Sequence, residues 1–252
     1  RPFLLPLPEA AFRQAGFGEA VEALLAQALA QGVPLRLLPA LAAYLEATHP
    51  LPPEETARRL LEAALALGAW EEALEAAGRY GGGLLLWTLE RAGRPLLEGG
   101  KVEAFFRHAE RVAHPSPRLR LLLALGHRMR GELDRGLAVL EGFPEEDPAL
   151  LAEALLAQGT LLGLKGAHGE AEDVFSQGVA LGETPLRARF LTSRGAARIR
   201  LGRYREAAED LEEALFLSRK ERLTEVEAPP LHNLATARHH LVHDIEGCKE
   251  FT

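Results

Sequence analysis

The sequence predicts an all-α fold built from repeated antiparallel helix pairs. Three observations carry that reading. Glycines recur at 68, 100, 131, 166 and 202, apolar residues on either side of them follow helical periodicity, and no strand-like alternation competes. The glycine spacings are 32, 31, 35 and 36 residues, one helix–turn–helix unit per interval.

Each repeat position has a physical task. The glycine can take the left-handed conformation that ends the first helix, so the second folds back within a few residues. Five residues on, a small side chain (Ala73, Gly136, Ala171, Ala207) lets the helices approach closely. Four further on comes an apolar knob: Ala77, Leu140, Phe175, Leu211. The second unit departs from this pattern, with Phe105 at the small position.

Taken in chain order, residues 1–51 carry no repeat glycine and balance three arginines against four glutamates. Short helices are expected there at Pro8–Gln14, Gly18–Gln31 and Leu35–Ala47, forming a separate small unit. The repeats fill 52–252. Five antiparallel pairs are expected over 52–220, and ETARRLLEAALAL and REAAEDLEEALFL show apolar residues at i, i+3, i+4 and i+7. The units 152–183 and 188–219 superpose at a shift of 36, matching Gly159 with Gly195, Gly166 with Gly202, Ala171 with Ala207 and Phe175 with Leu211. Pro115 and Pro117, Pro144 and Pro148, and Pro185 mark helix starts, where a missing N–H costs nothing. Pro229-Pro230 are expected to open a last unit, PPLHNLATARHHL followed by a second helix around DIEGCKEF.

This period matches the roughly 34-residue tetratricopeptide unit, so the fold class expected is a tetratricopeptide-like right-handed superhelix of antiparallel helix pairs, preceded by a small helical unit.

Composition narrows the function. A hydrophobic fraction of 47% with 26% charged residues and a mean hydropathy of −0.05 is that of a soluble globular chain. No apolar run reaches the roughly 18 residues that span a bilayer, and the N-terminus lacks a signal peptide's basic region, so a cytoplasmic location without a membrane partner is expected. The single cysteine, Cys248, can make no internal disulfide. Net charge is −7, with acids interspersed among arginines, and no basic stripe suits duplex DNA. The chain opens on Arg1-Pro2 without an initiator methionine and stops at Phe251-Thr252, and is read as a piece of something longer.

The run from VPLRLLPALAAYLEATHP through ALGAWEEALEAA, LLLWTLERAG and LLEGGKVEAFF resembles a junction in the large ATP-dependent transcriptional regulators of the MalT/LuxR type. There a winged-helix segment ends in a helix like LLPALAAYLEA and a superhelix of tetratricopeptide-like pairs follows. The resemblance covers about residues 1–220. It implies that 1–51 is a winged-helix-like remnant or helical adapter, and that 52–252 is the regulatory superhelix of a bacterial activator. It also implies an ATPase module upstream and a DNA-binding domain elsewhere. This chain has no G-x-x-x-x-G-K-[ST] phosphate loop, so ATP is implied for the missing module alone and no cofactor is expected here.

Catalytic constellations are not found. His239 and His243 stand i,i+4 with His232, His240 and Cys248 nearby, a spacing that could ligate zinc, but solvent-exposed histidines are the expectation and no metal site is assigned. Gly81–Gly83 lack the lysine of a phosphate loop and read as a helix stop. Adjacent acids such as Glu54-Glu55, Glu71-Glu72 and Glu145-Glu146 point in different directions on a helix, and no G-x-S-x-G elbow occurs. The chain is read as a non-enzyme.

The functional surface expected is the concave groove of the stacked array, holding a small-molecule effector or a protein partner. In the tetratricopeptide frame the groove-facing first-helix positions are 2, 5, 9, 12 and 13. Carried onto the units beginning at Pro117, Ala152 and Ala188, they select Arg118, Arg128, Glu153, Thr160, Arg189, Thr192 and Arg200. Arginines there clamp carboxylate or phosphate, with Leu125 and Leu156 expected to pack the ligand's apolar part. A stand-alone tetratricopeptide adaptor is the alternative to the regulatory sensor, and DNA is expected to be reached only through modules outside this chain.

Overall fold

A computed structural model describes residues 54–144, 146–181, 186–220 and 228–250, with residues 56 and 243–250 defined through their backbone alone. The unit expected over 1–51, and with it the boundary at 52, lies outside the described residues. Eleven helices are described: α1 (Glu54–Ala66), α2 (Trp70–Gly78), α3 (Gly82–Glu98), α4 (Val102–Ala109), α5 (Pro117–Met129), α6 (Leu133–Leu140), α7 (Pro148–Leu164), α8 (His168–Ala180), α9 (Arg187–Arg200), α10 (Tyr204–Lys220) and α11 (Ala228–Glu250). There is no strand among the described residues. The chain divides into two compact units, Arg1–Gly126 and His127–Thr252, with the boundary inside α5. In the first unit α1 packs on α2 and α3 on α4; in the second, α7 packs on α8, α9 on α10, and α11 on α10.

The turn glycines carry the pairing. Gly68, Gly100, Gly131, Gly166 and Gly202 all have φ between 74° and 84°. At each, the glycine N–H bonds to the carbonyl three residues back and the next N–H to the carbonyl five residues back. In the last turn these are Gly202 to Ile199 at 3.1 Å and Arg203 to Arg198 at 2.9 Å. This is the Schellman closure, which satisfies the first helix's orphan carbonyls and reverses the chain in three residues.

Close approach of the paired helices is kept by placing one large side chain among three register positions. These are the residues seven before, five after and nine after the turn glycine. The first unit uses Leu61 with Ala73 and Ala77, all 0% exposed. The second uses Phe105, opposite Gly93, where a methyl on the glycine would come within 3.0 Å of the ring. The fourth and fifth use Phe175 and Leu211, opposite Gly159 and Gly195. Phe105 is therefore compensated by a glycine on the facing helix rather than being a flaw in the repeat.

Neighbouring pairs interlock in the same way. Phe190 of α9 lies on Gly178 of α8, and Phe106 of α4 on Gly126 of α5, leaving no room for a methyl at either glycine. Phe105 and Phe106 meet edge to face at 5.4 Å. Burial of each such ring or leucine contributes roughly 1.5–3 kcal/mol. Asp147 caps α7, its Oδ1 accepting from the amides of Ala149 at 3.0 Å and Leu150 at 3.2 Å, with Pro148 in the first turn.

One expectation is corrected. Residues 228–250 form a single helix, not a helix pair. Between the two segments expected to be separate helices stand only Val242 and His243, neither of them glycine or proline, so nothing ends the first.

Candidate partner-binding surfaces

Helix α9 carries five arginines and no acid, and helical periodicity sorts them into two stripes. Arg187, Arg194 and Arg198 face the flanking helices. Arg194 grips Asp210 of α10 at two points, Nε to Oδ2 at 2.9 Å and Nη2 to Oδ1 at 2.8 Å, and donates from Nη1 to Ser176 Oγ of α8 at 3.2 Å. Arg198 donates from Nε to Glu172 Oε1 at 3.0 Å and pairs through Nη1 with Asp210 Oδ2 at 2.9 Å. Arg203, in the turn, donates from Nη1 to Glu172 Oε1 and Oε2 at 3.0 and 2.7 Å. Arg187 reaches Glu213 Oε1 and the Val179 carbonyl.

Glu172 and Asp210 are 8% and 5% exposed. Carboxylates so buried need cationic partners, and three guanidiniums supply them. The hydrogen bond to Asp210 raises the Arg194 pKa against the opposing effect of burial, so the guanidinium keeps its charge in the seam. The network ties α8, α9 and α10 into one polar seam. Lighter clasps join other units: Lys101 with Glu71, and Lys165 Nζ with Asp134 Oδ1 at 2.5 Å.

The second stripe is Arg189 and Arg200. Both are exposed and neither has an ion-pair partner among the described residues. Glu206 and Asp210, the acids that could neutralise them, are held by Arg194 and Arg198 instead. Thr192 lies one turn from Arg189, but its hydroxyl donates to the Ala188 carbonyl at 2.7 Å, so it offers a ligand only an acceptor. Thr160 does the same to Leu156 at 2.7 Å. Glu153 is exposed at the start of α7. Since α7 and α9 touch, Glu153, Thr160, Arg189, Thr192 and Arg200 lie on adjacent first helices of one unit. Arg118 and Arg128 are exposed on α5, Arg118 in the first unit and Arg128 in the second. Leu156 is packed in the core of the second unit, while Leu125 is half-buried against the core of the first unit.

Trp87 was not among the expected groove residues. It stands thirteen residues before its turn glycine, as Arg118, Glu153 and Arg189 do before theirs. Arg58 and Arg91 flank its ring at 5.0 and 4.1 Å, a double cation–π contact. Reading the second unit in the same register reveals it.

Of the C-terminal histidines, His239 and His240 meet edge to face at 5.9 Å. His240 stacks on Tyr204 at 4.5 Å, His232 and His239 are exposed, and the side chains of His243 and Cys248 lie outside the described residues. Among the described residues no group of three or more His, Cys, Asp or Glu could hold a metal ion, and no helix is long and apolar enough to cross a membrane. Gly81 and Gly82, with φ of 67° and 48°, break the chain between α2 and α3.

No family model matches the chain, and no curated protein matches it. Among solved structures it is similar to a tetratricopeptide repeat protein from Parabacteroides merdae ATCC 43184. That match has 16% identity over 89% of this chain and 85% of the other, with a TM-score of 0.46. On its own turn chemistry and pairing, the chain is an all-α helical-repeat protein of tetratricopeptide-like build.

Proposed function

We propose that this chain is a binding module whose helix α9 offers a basic strip to an acidic segment of a protein partner. The observation that carries the reading is the division of labour on α9. Arg187, Arg194 and Arg198 are consumed by internal carboxylates, whereas Arg189 and Arg200 stand exposed and unpaired on another side of the same helix. In a chain of net charge −7, a cationic strip left without internal acids suits an external one.

The sequence resemblance to MalT/LuxR-type regulators supports a regulatory setting, in which a protein or small-molecule effector on this strip is reported to ATPase and DNA-binding modules outside this chain. A stand-alone adaptor uses the same strip without them. A phosphate loop upstream and a helix-turn-helix downstream in the full gene would decide for the regulator.

The binding test is selection of displayed peptides on the intact chain. Segments rich in Asp and Glu are expected, and Arg189→Ala with Arg200→Ala should weaken the best of them about tenfold or more, one charged hydrogen bond contributing roughly 1.5–3 kcal/mol. Selection of neutral or basic segments, or unchanged affinity in the double variant, would refute the strip.

A further inference from the structure

Successive joints of the array fill the same six register positions differently. Between α8, α9 and α10 these positions hold Glu172, Ser176, Arg194, Arg198, Glu206 and Asp210, the charged seam described above. Counting from each unit's turn glycine, their counterparts between α6, α7 and α8 are Leu137, Glu141, Gln158, Leu162, Glu170 and Val174. All six line an open cleft of about 550 Å³, joined by Ala138 and Asp173. Gln158 and Leu162 thus stand where arginines close the next joint.

A third joint, between α2, α3 and α4, is also closed by basic side chains. The counterparts of Ser176 and Asp210 there are Gly78 and His108. Arg111 donates from Nη2 to the Gly78 carbonyl at 2.5 Å, and a methyl on Gly78 would come within 2.8 Å of Arg111 and 3.1 Å of His108. Two joints are therefore filled from within by guanidinium or imidazole, while the α6/α7/α8 joint has acids and no base in its lining.

We propose that this cleft receives an arginine side chain from a protein partner, its guanidinium on Glu170 and Asp173 and its aliphatic stem on Leu137, Leu162 and Val174. The chain supplies its own precedent. Glu206, the counterpart of Glu170, stands 3.8 Å from Arg198 Nη2 and accepts from Arg198 Nη1 through its carbonyl at 3.3 Å. Glu170 and Asp173 are exposed and have no ion-pair partner among the described residues. Arginine fits better than lysine because its flat, weakly hydrated head packs on apolar side chains while its fork bonds carboxylates. The cleft has the opposite sign to the Arg189–Arg200 strip, and Glu170 and Asp173 lie on a second helix, so it stands or falls independently of that strip.

The test is a two-dimensional amide NMR titration of the intact chain with acetyl-Leu-Arg-Leu-amide, and with the citrulline peptide as its uncharged isostere. The arginine peptide should shift amides of 137–141, 158–162 and 170–174 saturably, with Kd on the order of a millimolar. The citrulline peptide should not. Glu170→Gln with Asp173→Asn, both exposed and safe for folding, should weaken binding about tenfold. Leu162→Arg, copying Arg198, should occupy the cleft and abolish binding. Absence of saturable shifts there, equal binding of the citrulline peptide, or unchanged binding by the Gln/Asn variant would overturn the proposal. Free arginine binding as tightly as the peptide would overturn its assignment to a protein segment.

Discussion

Arg194 and Asp210 form a two-point ion pair across α9 and α10, at register positions that hold Gln158 and Val174 one unit earlier. The chain thus contains both a charged and an uncharged solution to one packing problem. Helices α7 and α8 pack without the charged pair, so the pair is not required for the hairpin to form. This agrees with the general finding that a buried ion pair adds little net stability over a neutral replacement, although removing one partner is costly.

Exchange of these solutions gives the first prediction. Asp210→Val leaves Arg194 and Arg198 both facing a buried apolar side chain and should cost about 3–5 kcal/mol. Arg194→Gln should cost less, because Arg198 still serves Asp210. The double variant, which imports the preceding joint's residues, should be more stable than Asp210→Val alone. Denaturant unfolding of the four proteins supplies the cycle; simply additive costs would show that Arg194 and Asp210 do not act as a unit.

The hairpins were legible because their cause is local. A glycine at positive φ and two short-range hydrogen bonds reverse the chain wherever the pattern occurs, and the five turns follow it. The compensation of Phe105 by Gly93 is also written in the residues, but only when two positions twelve apart are read together. What could not be read was the fate of the arginines. Arg189 and Arg194 are alike as residues, and only the packing of three helices decides that one meets Asp210 and the other solvent. The cleft was hidden for the same reason: Gln158 and Leu162 become informative only against Arg194 and Arg198.

Two glycines on α7 should respond oppositely to alanine. A methyl on Gly163 meets nothing within 4 Å, whereas one on Gly159 would lie 2.4 Å from Phe175, whose ring is 4% exposed and cannot swing away. Gly163→Ala should stabilise by about 0.5–1 kcal/mol through helix propensity and a less flexible unfolded chain. Gly159→Ala should cost about 1–3 kcal/mol by overpacking. Thermal unfolding checks both, and stabilisation by Gly159→Ala would contradict the close approach of α7 and α8.

The last prediction concerns His108, which is 5% exposed. Its Nε2 lies 3.5 Å from Glu75 Oε2, while its Nδ1 is buried without a hydrogen-bond partner. Burial lowers its pKa, Arg111 and Arg107 lower it further, and Glu75 opposes them without prevailing. The folded protein therefore holds a neutral imidazole over a range where the unfolded chain already binds a proton. Because the unfolded state then carries more protons, stability rises with pH across this window and is fully present above the ordinary imidazole value of about 6.5. As pH falls below that value, stability is lost down to the folded-state pKa, at up to about 1.4 kcal/mol per pH unit. His108→Leu removes the titrating group and the unpaired nitrogen together. The difference in unfolding free energy between wild type and variant, followed from pH 7.5 to 5, should shift in the variant's favour below about pH 6.5. A difference that stays constant with pH would show that His108 titrates alike folded and unfolded, and a shift in the wild type's favour would mean that Glu75 holds it protonated.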